Sequence, residues 1–248
     1  MNVSPAISPA DELQRAAEVL SKHWILAAPT AIASLIFSVV VIFVVLSVVG
    51  TTMLGGLVGG HIGAAAGAGT GLIVAGVCSV LGIALVILAQ AVVIHASEDA
   101  WQGRNPNLSA SFGAVLGRLP DLAVATILMG LIVVALCVTV IGIPFVLVAS
   151  YFFIYVTPAV ILGRESGTSA LGTSFRLARS RVGESFIAFL GLIAASIVGV
   201  IANSLVSHIP LVNLVTAFAV GGLTSAYAAL VQARFYDILR TTPYPTTI

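Results

Sequence analysis

Residues 55–71, GGLVGGHIGAAAGAGTG, carry a glycine at every fourth position: Gly55, Gly59, Gly63, Gly67 and Gly71. Glycine-rich runs are where backbone N–H groups cradle phosphate, but this run lacks the parts. A P-loop needs GxxxxGK[ST], no lysine is near, and the G-x-G-x-G spacing at Gly67, Gly69 and Gly71 misses GxGxxG. The other groups able to do chemistry are the histidines His23, His61, His95 and His208 and the acids Glu98, Asp99, Asp121, Glu165 and Asp237. Those five acids would make an enzyme only by converging around a metal. Neither HExxH nor a Ser-His-acid set can be assembled. The expectation is a chain with no catalytic residue, no metal site and no cofactor, and not an enzyme.

The composition says what must position these residues. The chain is 59% hydrophobic and 8% charged, with mean hydropathy +1.16. Soluble domains are roughly 25% charged, and a wetted surface cannot be built from so few ions. Several uncharged runs exceed the roughly 20 residues that cross a hydrocarbon core of about 30 Å, which reads as an integral membrane protein. The net charge of +1 gives no sign of nucleic acid as a partner. Cys78 and Cys137 fall in apolar runs and read as small packing residues. The first run, 25–49, is longer than a signal sequence, has three acids and two bases before it, and reads as a retained span.

Six spans emerge, 25–49, 72–95, 122–141, 144–163, 186–206 and 211–232. No charge occurs between Asp121 and Arg164, and one helix over that stretch would be about 63 Å long. Gly142-Ile143-Pro144 divides it into a hairpin, as SHIP at 207–210 divides the last pair. All 10 Lys and Arg residues then fall on one side, in 1–23, 96–121, 164–185 and the tail 233–248, and all 9 acids join them. The positive-inside rule puts that side, with both termini, in the cytoplasm of a bacterial inner membrane. His61 and His208 lie on the opposite face, where no carboxylate or thiolate could complete a metal site. Parity forbids a complete extra crossing in 50–71. That segment is a re-entrant hairpin, a helix extension or a loose loop, and its glycines read as a seam for close helix packing.

Leu13, Ala17, Leu20 and Trp24 share one helical face before the first span. Leu108, Phe112, Val115 and Leu119 repeat the spacing before the third span, and Leu171, Phe175, Ala178 and Val182 before the fifth. The pattern predicts an all-α, single-domain membrane protein: a six-helix bundle over 25–232 made of three parallel hairpin units, each preceded by a short cytoplasmic interfacial helix. The spans hold no Asp, Glu, Lys or Arg, so the polar residues Gln90, Tyr151, Tyr155, Asn203, Asn213 and Gln232 read chiefly as interhelical hydrogen-bonding groups. In SFRLARSRVGES, Arg176, Arg179 and Arg181 would each gain about 1 kcal/mol beside anionic headgroups. Membrane lipids are the expected partners, with a homo-oligomer or a second membrane protein possible at the glycine seam.

The stretch VIGIPFVLVASYFFIYVTPAVILGRESGTSALGTSFRLARSRVGESF, followed by ARFYDILR, resembles bacterial six-helix membrane proteins related to the membrane domain of glycerophosphoryl diester phosphodiesterase. The resemblance covers roughly 96–240 and implies fold more than activity. In fused members, hydrolysis belongs to a separate soluble barrel; after Arg240 only TTPYPTTI remains here, so no catalytic residue carries over. The expected role is a non-catalytic interaction or organising module. The alternative is a transporter or lipid-handling protein for an uncharged or amphiphilic substrate, using a cavity toward Gln90, Tyr151, Tyr155 and Asn203.

Overall fold

A backbone in hydrocarbon must satisfy its own N–H and C=O groups, and a long apolar run does so as a helix. The computed structural model describes residues 8–137, 142–205 and 210–241, and among them contains helices and no strand. They are α1 (Pro9–Lys22), a 3₁₀ turn (Trp24–Ala27), α2 (Ala28–Trp101), α3 (Leu108–Leu116), α4 (Leu119–Cys137), α5 (Gly142–Phe152), α6 (Val156–Ile161), α7 (Gly167–Ser180), α8 (Val182–Leu205) and α9 (Pro210–Thr241). Six segments are long and apolar enough to span a membrane: Trp24–Leu54, Gly76–Trp101, Leu119–Cys137, Pro144–Ile161, Val182–Leu205 and Thr216–Thr241.

The glycine run lies within α2 and is helical apart from one residue. Gly60 has φ 61° and ψ −145°, a region essentially confined to glycine, and there the chain reverses. The reversal sets an antiparallel register between the arms 28–59 and 61–101. A Cβ on Gly71 would press on Val48, its nearest atom 2.7 Å away, and one on Gly82 would collide with the ring of Phe37. Gly71 and Gly82 are three turns apart on one face, so glycine brings the two arms together. The connection is thus a helical extension of both spans. Gly71 serves the seam within the chain, while Gly59 meets nothing within 4 Å. The surroundings of Gly55, Gly63 and Gly67 lie outside the described residues.

The three units share helix boundaries. A shift of 95 residues carries the helical start Trp24 onto Leu119, and a further 63 carries it onto Val182. The same shifts superpose buried positions: Ala16, Ser111 and Ser174; Ala27, Leu122 and Ser185; Thr30, Ala125 and Ala188. Helices α1 and α7 each have 14 residues, and each ends in a similar bend, at His23 (φ −121°, ψ 51°) and Arg181 (φ −131°, ψ 59°).

Each short helix reaches back onto the first span of the preceding unit. Gly167 at the start of α7 lies against the Asp121 carbonyl and the Ala125 N–H of α4. Leu108 and Phe112 of α3 border the same apolar groove as Pro29, Ile32 and Ile36 of α2. Leu13 of α1 fills the space left by Gly191 of α8, which closes the ring. The protein-facing edge includes Val115 and Ala178 of the apolar stripes, both fully buried, but elsewhere falls one residue earlier than the stripes predict. Glu12, Ala16, Ser111 and Ser174 are buried, whereas Phe112 and Phe175 are each 46% exposed and Trp24 70%. Small side chains permit close helix contact, and large apolar ones are left for lipid.

At the charged end the second spans of the three units meet: the 61–101 arm, α6 and α9 contact one another pairwise. The core they form includes Val93, Ile94, Tyr155, Val160, Leu230 and Tyr236. Tyr236 packs against Gly163 so closely that no side chain fits there.

Candidate functional site

The charged features cluster at the end where α1, α3 and α7 lie. On α7, Arg176 and Arg179 are exposed beside Phe175. Arg176 donates to Thr173 Oγ1 at 3.1 Å and pairs with no carboxylate among the described residues. Arg181 differs from them: its side chain is only 16% exposed and pairs with Glu184 at 3.3 Å. The three arginines therefore form no single patch. Two face outward, and the third caps the turn between α7 and α8.

The five acids do not converge on one point, although Glu98 and Asp237 border the same recess. Asp99 binds Arg104 at 2.6 Å, Asp121 lies 3.5 Å from Arg118 and Asp237 3.3 Å from Arg240. Glu98 and Asp237 share one recess with Arg234, while Glu165 sits in the α6–α7 turn. Among the described residues no three His, Cys, Asp or Glu side chains are placed to hold a metal ion. His95 Nδ1 is 3.1 Å from Ser111 Oγ, and His23 ends α1. The side chains of His61 and Asn213, and all of His208, lie outside the described residues. Cys78 is half-buried and Cys137 exposed on the apolar surface, so Cys137 does not pack as its apolar run suggests.

Inside the spans the polar groups are engaged by neighbouring helices. Gln90 donates to Gln232 at 3.3 Å, linking α2 to α9. Tyr151 donates to the Ala178 carbonyl at 2.9 Å, and the buried Tyr155 hydroxyl reaches Ser185 at 3.2 Å. Asn203 is elsewhere, between α8 and α9, and its Oδ1 is buried with no partner among the described residues. These four residues, expected to face one cavity, are distributed over three interfaces.

Two arrangements were not read from the sequence. The fourth span breaks between Phe152 and Val156, because Pro158 cannot donate to the preceding turn. Ser174 Oγ bridges the gap, accepting from the Tyr155 N–H at 3.1 Å and donating to the Phe152 carbonyl at 2.6 Å. The second is an ion cluster. Glu12, whose side chain is wholly buried, accepts from Arg234 Nε at 2.8 Å and from Arg15 at 3.4 Å. The Arg234 guanidinium also lies 5.1 Å from the centroid of Trp101, whose indole N–H reaches the Leu230 carbonyl at 3.3 Å. A buried ion pair costs several kcal/mol to desolvate, and breaking it by removing one partner typically costs about 3–5 kcal/mol. Local sequence carries no signal for this pair, because Glu12 and Arg234 are 222 residues apart.

Fold and side-chain placement together define an all-α, multi-pass membrane protein. No protein-family model, curated protein or solved structure matches the chain.

Proposed function

We propose that the protein is a non-catalytic organising module of a bacterial inner membrane, with both termini and its three short helices in the cytoplasm. Arg176 and Arg179 contact anionic lipid, Arg181 supports them from the α7–α8 turn, and Gly59 on the protruding α2 hairpin offers a surface for another helix or a second copy. The observation that carries this reading is the tight junction of second spans at the charged end, where Tyr155 and Tyr236 are buried and Gly163 leaves no gap. A solute path would need that junction to open. The order of the IP turn, the small-and-basic helix and RFYDILR further supports kinship with six-helix membrane domains of the phosphodiesterase type.

A second reading, a transporter or lipid-handling protein for an uncharged or amphiphilic substrate, has one observation in its favour. Asn203 Oδ1 lacks a partner among the described residues and borders a groove of about 290 Å³ with Ser196 and Thr224. Reconstitution into liposomes separates the two. The organising role predicts no saturable flux of glycerol, sugars or labelled lipid above protein-free vesicles; saturable flux abolished by Asn203→Leu would replace it with the transporter.

A further inference from the structure

Beside the Glu12 cluster is a recess of about 290 Å³, lined by Arg15, Glu18, Val19, Lys22, Trp101 and Arg234. We propose that it binds a phosphate group, and that the phosphate belongs to a membrane lipid headgroup. The recess is lined by α1, α2 and α9 and by none of the α7 arginines.

Arg15 and Lys22 are two turns apart on one face of α1, and Arg234 approaches from α9. Glu12 organises this wall from behind. Its side chain is fully buried, so it touches no ligand, but it holds Arg234 at 2.8 Å and approaches the more exposed Arg15 at 3.4 Å. It occupies Arg234 Nε and approaches one amino group, and a guanidinium has five N–H donors, so donors remain. Lys22 is exposed and pairs with no carboxylate among the described residues. Three cations thus meet two acids, Glu12 behind the wall and Glu18 in it, a net positive recess, and the Trp101 ring supplies an apolar backing that strengthens its attraction for an anion.

The setting points to lipid as the source. Lys22 is followed at once by the 3₁₀ turn, where Trp24 and Ile25 are 70% and 47% exposed. Exposed Trp beside an apolar span marks headgroup depth. A lipid whose phosphate sat against Arg15 and Lys22 could lay its chains along Trp24 and Ile25.

The test uses full-length protein in phosphatidylcholine nanodiscs, titrated with fluorescent phosphatidylglycerol. Saturable binding is expected, roughly tenfold or more weaker in Arg15→Gln/Lys22→Gln. Lys22→Arg, Arg104→Gln and Arg176→Gln/Arg179→Gln should retain it, which separates this site from the α7 surface. Lys22→Gln alone removes no partnered side chain and provides the readout if the double variant misfolds. Unchanged binding in these recess variants, or equal loss in Arg104→Gln, would overturn the site. Saturable binding of inorganic phosphate with no preference for the lipid would overturn the lipid assignment.

Discussion

Ser174 Oγ stands in for two backbone partners at the break of the fourth span, the N–H of Val156 for the Phe152 carbonyl and the carbonyl of Tyr151 for the Tyr155 N–H. Val156 N instead donates to Phe153 at 3.1 Å, in a tighter turn. Leaving both backbone groups unpaired in a low dielectric costs far more than a typical exposed hydrogen bond. Ser174→Ala should therefore lower unfolding free energy by about 1–3 kcal/mol, measured by denaturant titration in micelles. Ser111, its counterpart in the second unit, hydrogen-bonds through its side chain to the His95 ring and, among the described residues, bridges no backbone break, so Ser111→Ala should cost about 1 kcal/mol or less. Equal costs would remove the bridging role. Nothing in SFRLARSR marks Ser174 as a bridge, because its two partners are 22 and 19 residues away and become adjacent only through tertiary packing.

Elements were the most legible level. The length and lack of charge of each apolar run fix a crossing, and Gly-Ile-Pro at 142–144 stands where a new helix begins. The facing of the short helices was less legible, since in a membrane an apolar stripe points to lipid as readily as to protein. The glycine periodicity suggested one seam over Gly55 to Gly71. The contacts that the structure describes are instead at Gly71 and Gly82, spaced for a single face, whereas a strict four-residue repeat drifts around the helix. Gly82→Leu should force Phe37 aside and destabilise the α2 hairpin by about 1–3 kcal/mol. Gly59→Leu, with open space beside the backbone, should shift stability by about 0.5 kcal/mol or less. A larger loss at Gly59 than at Gly82 would refute this register.

For the whole molecule, the charged side chains among the described residues lie before or between the six apolar segments or, as Glu98, Asp99, Asp121, Glu184, Arg234, Asp237 and Arg240 do, in the end turns of those segments, and the proposed sidedness rests on that distribution. In a Cys78→Ala/Cys137→Ala background, Ser21→Cys, Ser109→Cys and Ser180→Cys should all label from the cytoplasm, and Gly59→Cys only from the opposite face. Labelling of the Ser180 site from outside would break the parity and invert the proposed lipid contacts. Charge counting supplies the sidedness proposed here; the circular arrangement was not legible, because the reach of α1 to α8 and α9 spans nearly the whole chain. That closure bears on how the protein is made. Glu12 must wait for Arg234, 222 residues later, and Thr30 for the Gly222 carbonyl, 192 residues later, so these two contacts close only when α9 has formed. Until α9 is in place Glu12 has Arg15 of its own helix and lacks Arg234, so the buried cluster is completed only when the two ends of the bundle meet.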